Sequence, residues 1–263
     1  MSFSCKMQDS KVMKGIIEAL SAIIDETYFV ANEDGLTLTA MDESHICLMH
    51  LIMPKGIFDA FEADGESKMG INLEDLVKIS KRAGQSDSIE LKHPADSEKF
   101  QVVIKGVGTR TFSLRLVDID EEKVPPTSEL DVPFTAKATF GVGILDQAIK
   151  DAEIYQDYLE IKMTSEMFNC KAEGEVGDVD YQLDKENLES LEVTENARGV
   201  FSLAFLKNIM KISSIADKLT LSLSDNAPAK LQFQIAESDD TKAVCTYFLA
   251  PRVEEEDDES DSE

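Results

Sequence analysis

Residues 72–84, NLEDLVKISKRAG, combine a helical apolar period with a cluster of bases in an acidic chain. Leu73 and Leu76 share one helix face behind Asn72, and asparagine is a residue type that caps helix N-termini. Three bases lie within five positions on the other side of the helical wheel: Lys78, Lys81 and Arg82. The stretch therefore predicts an amphipathic helix that packs on a core and presents positive charge on its polar face.

The same apolar period recurs three more times, behind Asp9 or Ser10, behind Thr139 and behind Ser202. Counted from Asp9, the four predicted caps are separated by 63, 67 and 63 residues. A helix with its following strands that recurs at a near-constant interval indicates a repeated structural unit. Two such units make a domain of about 120 residues, which is an ordinary domain size.

Between the predicted helices the chain consists of short alternating runs broken by Asn, Asp, Gly and Pro. Such runs are typical of β-hairpins and meanders. The predicted strand segments are 28–42, 45–53, 87–92, 99–106 and 109–117 in the first half, and 157–174, 178–184, 218–237 and 242–251 in the second.

The composition excludes several classes of protein. In 263 residues no apolar run approaches the roughly 20 residues that cross a bilayer. The N-terminus lacks the apolar segment of a secretion signal, so an intracellular protein is expected. The four cysteines lie far apart, which argues against a zinc site and a disulfide framework and predicts buried reduced thiols. They are Cys5, Cys47, Cys170 and Cys245.

Motifs that carry catalysis are missing from the sequence. It contains no GxxxxGK[ST], GxSxG or HExxH pattern, and its three histidines lack metal-ligand spacing. One enzymatic interpretation is a site at His45, beside Asp42 and Glu43, but this group has no nucleophile partner. The sequence therefore predicts a protein without catalytic residues, metal or cofactor.

The net charge of -26 is distributed unevenly along the chain. Residues 254–263, EEEDDESDSE, hold eight acids and no base, which predicts a disordered tail. Pro125 and Pro126 cannot continue a helix or a strand ladder, so the segment around them is predicted to be an extended connector. The predicted boundaries are a first domain over 1–117, a connector over 118–133, a second domain over 134–253 and the tail over 254–263.

Bases concentrate on the polar faces of the predicted helices, which carry Lys11, Lys14, Lys78, Lys81, Arg82, Lys150, Lys207 and Lys211. If the repeats place their helices equivalently, these faces add up to one basic surface. Such a surface acts at short range, within a Debye length of about 8 Å, so it can face DNA while an acidic exterior faces solvent. Contacts to phosphates carry no sequence information, which suits a protein that slides.

Three stretches resemble the proliferating cell nuclear antigen family, the sliding clamps of archaea and eukaryotes. They are LTAMDESHICLMHL (38–51), MGINLEDLVKISKRAG (69–84) and YFLAPRVEEED (247–257). The resemblance implies an α+β fold of two similar domains of the DNA-clamp type, each with two helices packed on antiparallel sheets. It also implies a ring-forming homotrimer with its helices around a central hole.

The resemblance further implies a processivity factor that encircles double-stranded DNA without sequence preference and has no catalysis of its own. A clamp loader, a DNA polymerase, a flap endonuclease and a DNA ligase are the implied partners, with no membrane involved. An archaeal-type clamp would be cytoplasmic, and a eukaryotic one nuclear. Gln147 and Ala204 stand where the family usually has bases, and Pro125 and Pro126 replace a glycine and an aliphatic residue of the connector.

Two further surfaces follow from the resemblance. The implied pocket for hydrophobic partner peptides comprises Met41, His45, Ile46, Val124, Pro228, Phe248, Leu249, Ala250, Pro251 and Arg252. The implied subunit interface comprises Thr109, Arg110, Thr111, Phe112, Ser113, Leu114 and Arg115 on one strand, and Asp178, Val179, Asp180, Tyr181 and Gln182 on another.

An alternative interpretation is a variant clamp subunit of a heterotrimeric or checkpoint-type ring. The pocket segments 41–46 and 247–253 are intact, which favours a general partner-binding clamp. The sequence leaves the choice between a homotrimer and a mixed ring open.

Overall fold

The computed structural model describes residues 2–120, 132–238 and 241–252. The first half contains β1 (Phe3–Met7), α1 (Ser10–Ser21), β2 (Glu26–Asn32), β3 (Gly35–Met41), β4 (Cys47–Pro54), β5 (Ala60–Ala63), β6 (Ser67–Asn72), α2 (Leu73–Ser80), β7 (Ser88–His93), β8 (Lys99–Lys105) and β9 (Thr109–Arg115). The second half contains β10 (Ala136–Gly141), α3 (Val142–Ala152), β11 (Tyr158–Met163), β12 (Met167–Gly174), β13 (Gly177–Asp184), β14 (Ser190–Val193), β15 (Ala197–Ser202), α4 (Leu203–Ile209), β16 (Lys218–Leu223), β17 (Ala229–Ser238) and β18 (Thr241–Leu249).

The two halves have the same order of elements, so the repeat predicted from the helix spacing is confirmed. Each helix follows one strand directly or after a short turn, and three antiparallel strands come after it. Every predicted strand segment contains one strand or one hairpin. The strands β1, β5, β6, β10, β14 and β15 lie outside the predicted segments. They have only four to six residues, too few for a clear alternating pattern.

Three antiparallel sheets carry the fold. One has the order β5-β1-β7-β8-β9, another β13-β12-β11-β15, and the largest β14-β10-β16-β17-β18-β4-β3-β2-β6. In the largest sheet β18 pairs with β4. Val244 lies opposite Ile52 at one end of this pairing, and Leu249 lies opposite Cys47 at the other. A continuous backbone ladder therefore joins the two halves.

The core lies between the sheets and the helices and is built from alternate strand residues. Phe100, Phe168 and Phe233, for example, are each fully buried. All four cysteines are free and buried, which confirms the predicted thiols. Burial raises the pKa of each thiol, that of Cys245 to about 12, so none is a thiolate at neutral pH.

Two of the four predicted helix caps make the expected hydrogen bond from side chain to backbone N–H. Asp9 accepts the N–H of Lys11, and Asn72 accepts that of Asp75. Ser202 occupies the predicted cap position of α4, but its side chain makes no capping bond.

Thr139 was predicted to cap α3, and this is wrong. Thr139 lies within β10, where its hydroxyl oxygen is 3.1 Å from that of Thr220 on β16. The cap residue is Gly141, which has no side chain to accept a bond. The intervals between the observed caps are therefore 63, 69 and 61 residues.

The four helices form one contiguous layer. In this layer α1 packs beside α2, α3 packs beside α4, and α1 also contacts the 3₁₀ turn Met210–Ser214 that continues α4. A Cβ on Gly15 of α1 would lie only 2.4 Å from a methyl carbon of Ile215, so the halves meet closely here. Among the described residues, none of the helices has both the length and the apolarity to cross a bilayer.

Candidate functional surfaces

Seven of the eight predicted DNA-facing bases are exposed on the helical layer, defined as residues 10–21, 73–82, 142–153 and 203–214. Lys14 is the exception, because it is half-buried and its ammonium donates to the carbonyl oxygen of Ala83 over 2.9 Å. The helix α2 ends at Ser80, so Lys81 and Arg82 lie on the turn that follows it rather than on a helical wheel. The structure thus brings the eight bases onto one layer, with seven of them open to solvent.

Three of these bases already have carboxylate partners on the same layer. The Lys78 ammonium lies 2.8 Å from Glu74 and 3.1 Å from Asp75. Lys150 pairs with Asp146 over 2.5 Å, and Lys207 pairs with Glu153. Each pair is exposed, so it is individually weak and sensitive to salt. The sequence reasoning missed these pairs, although acids three and four positions before Lys78, and one four positions before Lys150, signal two of them.

The helical layer is close to electrically balanced in a strongly acidic chain. It holds eight bases and six acids, whereas the whole chain has 26 bases and 52 acids. The six acids are Glu18, Glu74, Asp75, Asp146, Asp151 and Glu153. A groove of about 240 Å³ between α3 and α4 collects Lys150, Lys207 and Lys211 with two of these acids. Positive charge is therefore segregated onto this layer, but part of it is neutralised there.

The predicted interface residues lie on two strands that have a single neighbour each within the described part of the chain. The strand β9 is an edge of the five-stranded sheet and β13 an edge of the four-stranded sheet. Their alternate side chains are half-buried against the core: Phe112 and Leu114 on β9, and Val179, Tyr181 and Leu183 on β13. An unpaired edge with an apolar face is a ready template for pairing with another strand.

These two edges are the repeat equivalents of strands that pair within the chain. The order β5-β1-β7-β8-β9 corresponds to β14-β10-β16-β17-β18, and β13-β12-β11-β15 corresponds to β4-β3-β2-β6. Equivalence makes β9 the counterpart of β18 and β13 the counterpart of β4. Since β18 and β4 pair with each other, β9 and β13 have edges of complementary type.

The outer face of the nine-stranded sheet carries an apolar row where the halves meet. Met41, Leu48 and Phe248 lie opposite one another on β3, β4 and β18, and Lys230 of β17 follows. The Lys230 ammonium lies 5.8 Å from the centre of the Phe248 ring. Leu48 and Phe248 are only 7% and 8% exposed, so the row is shallow. We call these four residues the outer row. Leu48 was missed by the sequence reasoning, because both faces of HICLMHLIM are apolar and conceal the alternation, and Lys230 was missed as well.

One residue of the predicted peptide pocket needs correction. Leu249 is fully buried and faces the core, because it alternates with Phe248 along β18. At the end of the predicted pocket, both N–H groups of residues 250–252 are used within the chain. Ala250 donates to Ile46 over 2.9 Å and Arg252 to Val200 over 2.7 Å, while Pro251 has no N–H.

The loop after β3 is held by Asp42. Its carboxylate accepts the N–H groups of Ser44, Ile46 and Cys47 and the hydroxyl of Ser44. Burial opposes ionisation, but these bonds outweigh it and hold the pKa of Asp42 below its ordinary value. His45 sits in this loop with a φ of 59°, a left-handed conformation uncommon outside glycine. Asp42 therefore serves the loop geometry, since its carboxylate is occupied by these four hydrogen bonds.

A cavity of about 800 Å³ lies beside this loop. Its lining includes Met41 and His45 together with Asp118, Ile119 and Asp120. Ile46 is 37% exposed nearby, and Pro228 is exposed beside β17. Val124, the remaining predicted pocket residue, lies outside the described residues, as do the segment 121–131 and the predicted tail.

Comparisons with known proteins agree along the whole described chain. The family models for the N-terminal and C-terminal domains of proliferating cell nuclear antigen match residues 2–123 and 127–252. The chain is 32% identical over 258 residues to the DNA polymerase sliding clamp of Pyrococcus horikoshii, covering 97% of this chain and all of that protein. It is 33% identical to that of Thermococcus gammatolerans, with the same coverage.

Solved structures give the same result. The crystal structure of proliferating cellular nuclear antigen from Entamoeba histolytica superimposes with a TM-score of 0.85 at 26% identity, over 95% of this chain and 99% of that one. The corresponding protein from Thermococcus kodakaraensis gives a TM-score of 0.84 at 25% identity, over 95% of this chain and all of that one.

Proposed function

The chain belongs to the proliferating cell nuclear antigen family, and we propose that it acts as a DNA sliding clamp that assembles into a closed trimeric ring. The observation that carries the proposal is the complementarity of the β9 and β13 edges. Each chain presents one edge of each type, so a head-to-tail contact can repeat from subunit to subunit and close.

The pairing register of this contact follows from the pairing of β18 with β4. Within the chain Tyr247 lies opposite Met49. By the strand equivalence, Phe112 of one subunit lies opposite Val179 of the next, and Ser113 lies opposite Asp178. The half-buried alternate side chains of both edges then become covered on one face. Closing the ring in this way removes two exposed edges per subunit.

The helical layer supplies the surface for DNA in this proposal. Its bases contact phosphates, which fixes no sequence and permits sliding. The acidic remainder of the chain lies away from the DNA, so its repulsion is screened beyond a Debye length of about 8 Å. The paired lysines weaken the contact relative to eight free bases, which is compatible with a clamp that holds DNA by topology.

Partners would bind at the outer row and the adjacent cavity. A peptide with aliphatic and aromatic anchors can cover Met41, Leu48 and Phe248, beside the exposed Ile46 and Pro228. A clamp loader, a DNA polymerase, a flap endonuclease and a DNA ligase are the partners proposed for this surface. The clamp itself would contribute no catalysis, so its function is tethering.

The proposal is tested by the mass of the purified chain and by polymerase processivity. Light scattering should give three times 29.1 kDa for the wild type, and the mass of a single chain for Phe112→Asp, since the substitution places a charge in the covered face. The matched Asp59→Asn variant, far from both edges, should remain trimeric. On primed circular DNA, with polymerase and clamp loader, the wild type should lengthen products and Phe112→Asp should not.

A wild-type chain that stays at 29.1 kDa alone would support the mixed-ring alternative instead. A trimer that leaves polymerase processivity unchanged would contradict the clamp function itself.

A further inference from the structure

We propose that Tyr28 is a positioning residue for partner-peptide binding, because its hydroxyl fixes the root of the connector beside the cavity. The proposal rests on the peptide surface proposed above. The Tyr28 hydroxyl donates to the carbonyl oxygen of Ile119 over 2.7 Å and accepts the N–H of Ile119 over 3.0 Å. One side chain thus satisfies both backbone polar groups of a residue outside any strand.

The neighbouring strand holds the same segment two residues earlier. The N–H of Val117 donates to the carbonyl oxygen of Gly70 over 3.0 Å, and Gly70 lies opposite Tyr28 in the pairing of β6 with β2. A Cβ on Gly70 would lie 1.9 Å from the carbonyl oxygen of Val117, so only glycine admits this approach. Gly70 and Tyr28 therefore act as two adjacent anchors for the segment 117–119.

The Tyr28 ring is itself fixed on its exposed side. The ammonium of Lys68 lies 4.1 Å from the ring centre, an attractive position over the aromatic face. This contact limits the motion of the ring and thereby directs its hydroxyl toward Ile119.

The anchored segment forms a wall of the candidate peptide site. Asp118, Ile119 and Asp120 line the cavity together with Met41 and His45, whereas Tyr28 does not line it. Tyr28 therefore acts on a bound peptide only through residues 118–119, since its hydroxyl also lies 3.5 Å from the Asp118 carboxylate. Because this wall is already ordered in the free protein, part of the entropy cost of ordering the site is avoided when a peptide binds.

Removing the hydroxyl should weaken peptide binding without affecting the ring. In Tyr28→Phe the polar groups of Ile119 lose their partner, and we expect peptide affinity to fall about three- to tenfold, as for one or two ordinary hydrogen bonds. In Gly70→Ala the methyl group pushes Val117 away, so a similar loss is expected from the opposite side. The control is Gly84→Ala, outside the helical layer and both strand edges, whose methyl group would make only ordinary contacts, 3.7 Å or more from Asp87.

The experiment uses full-length protein and a synthetic peptide that carries one aliphatic and one aromatic anchor. Affinity is measured by fluorescence anisotropy, and hydrogen exchange of the Ile119 amide is measured without peptide. Tyr28→Phe and Gly70→Ala should both bind more weakly, and Ile119 should exchange faster in Tyr28→Phe. Trimer mass and DNA association, measured well below the thermal midpoint of each variant, should match the wild type and Gly84→Ala, which general unfolding would not allow.

Peptide affinity of Tyr28→Phe within twofold of wild type would overturn the proposal, as would unchanged exchange at Ile119. A wild type that binds no such peptide would overturn the proposed peptide surface, and this proposal with it. The two failures are distinguished because only the second abolishes binding in the wild type.

Discussion

The ammonium group of Lys150 lies 2.5 Å from the carboxylate of Asp146, one helical turn earlier on the same face of α3. Lys207 of α4 pairs with Glu153 across the same groove. A phosphate that approaches this groove has to compete with two carboxylates already in place. The bases of the helical layer are therefore unequal, and their unequal availability makes the DNA contact testable.

Neutralising the two acids should strengthen DNA association. In Asp146→Asn with Glu153→Gln, Lys150 and Lys207 become free to bind phosphates. Each additional phosphate contact should steepen the dependence of log K on log salt by about 0.9, so a change of about one to two is expected. The measurement is clamp–DNA association over a salt series. The control is Glu189→Gln, which frees Lys218 outside the helical layer; equal slopes for all three proteins would contradict the prediction.

Reversing the unpaired bases should weaken the clamp on DNA. Lys81 and Arg82 are exposed and have no carboxylate partner among the described residues. Lys81→Glu with Arg82→Glu should therefore reduce processive synthesis by a loaded clamp and flatten the salt dependence of DNA association. Lys242→Glu, at the start of β18 and outside the helical layer, is the control reversal and should have little effect. Unchanged product length for the double variant would rule out this part of the DNA surface.

A charge reversal in the subunit contact should be relieved by salt. In the proposed register Ser113 lies opposite Asp178, which places Arg115 diagonal to that acid, within reach across the strands. Arg115→Glu sets two carboxylates against each other, so the trimer should dissociate at higher protein concentration than the wild type. The repulsion is screened at about 1 M salt, where the Debye length is about 3 Å, and the trimer should re-form. Light scattering checks this, and a defect that salt does not relieve would contradict the register.

The fold could be predicted largely from helix spacing, because an apolar period survives even in helices of seven or eight residues. Leu73 and Leu76 are both buried as expected. The short strands that precede the helices could not be predicted, since β6 and β15 consist of six residues with a glycine in each. The error at Thr139 has the same origin: a strand leads straight into α3, and no polar residue marks the junction.

The sequence identifies candidate residues for each surface but not the contacts that these residues make with one another. The eight bases follow from sequence, whereas the bond from Lys14 to the Ala83 carbonyl depends on how α1 packs beside α2. Leu249 was placed in the pocket by resemblance, although its alternation with Phe248 assigns it to the core. Tyr28 gave no sequence signal at all, because its partner Ile119 lies 91 residues away.

Replacing Asp42 should loosen the loop that carries His45 and Ile46. Asp42→Asn loses the charge that accepts the loop N–H groups and should cost about 1 to 2 kcal/mol of unfolding free energy at neutral pH. The folded-state pKa of Asp42 is lowered, so its contribution is present above the ordinary aspartate pKa of about 3.9 and is lost as pH falls through the folded value. Thermal midpoints of wild type and variant should differ at pH 7 and converge in acid. Glu43→Gln, in the same loop but exposed, should show no such difference.

Phe248 and Leu249 should differ in their effect on peptide binding although they are adjacent on β18. Phe248 belongs to the outer row and is 8% exposed, so Phe248→Ala should lower the free energy of unfolding. Well below its thermal midpoint it should also reduce affinity for an aromatic-anchored peptide about tenfold or more, as for a binding hot spot, and leave the trimer intact. Leu249 is fully buried in the core. Leu249→Ala should lower the free energy of unfolding by about 2 to 5 kcal/mol, with peptide affinity at low temperature changed far less. Peptide titration and thermal denaturation of both variants separate the two roles. If Leu249→Ala abolished peptide binding at unchanged stability, the side chain would belong to the pocket after all.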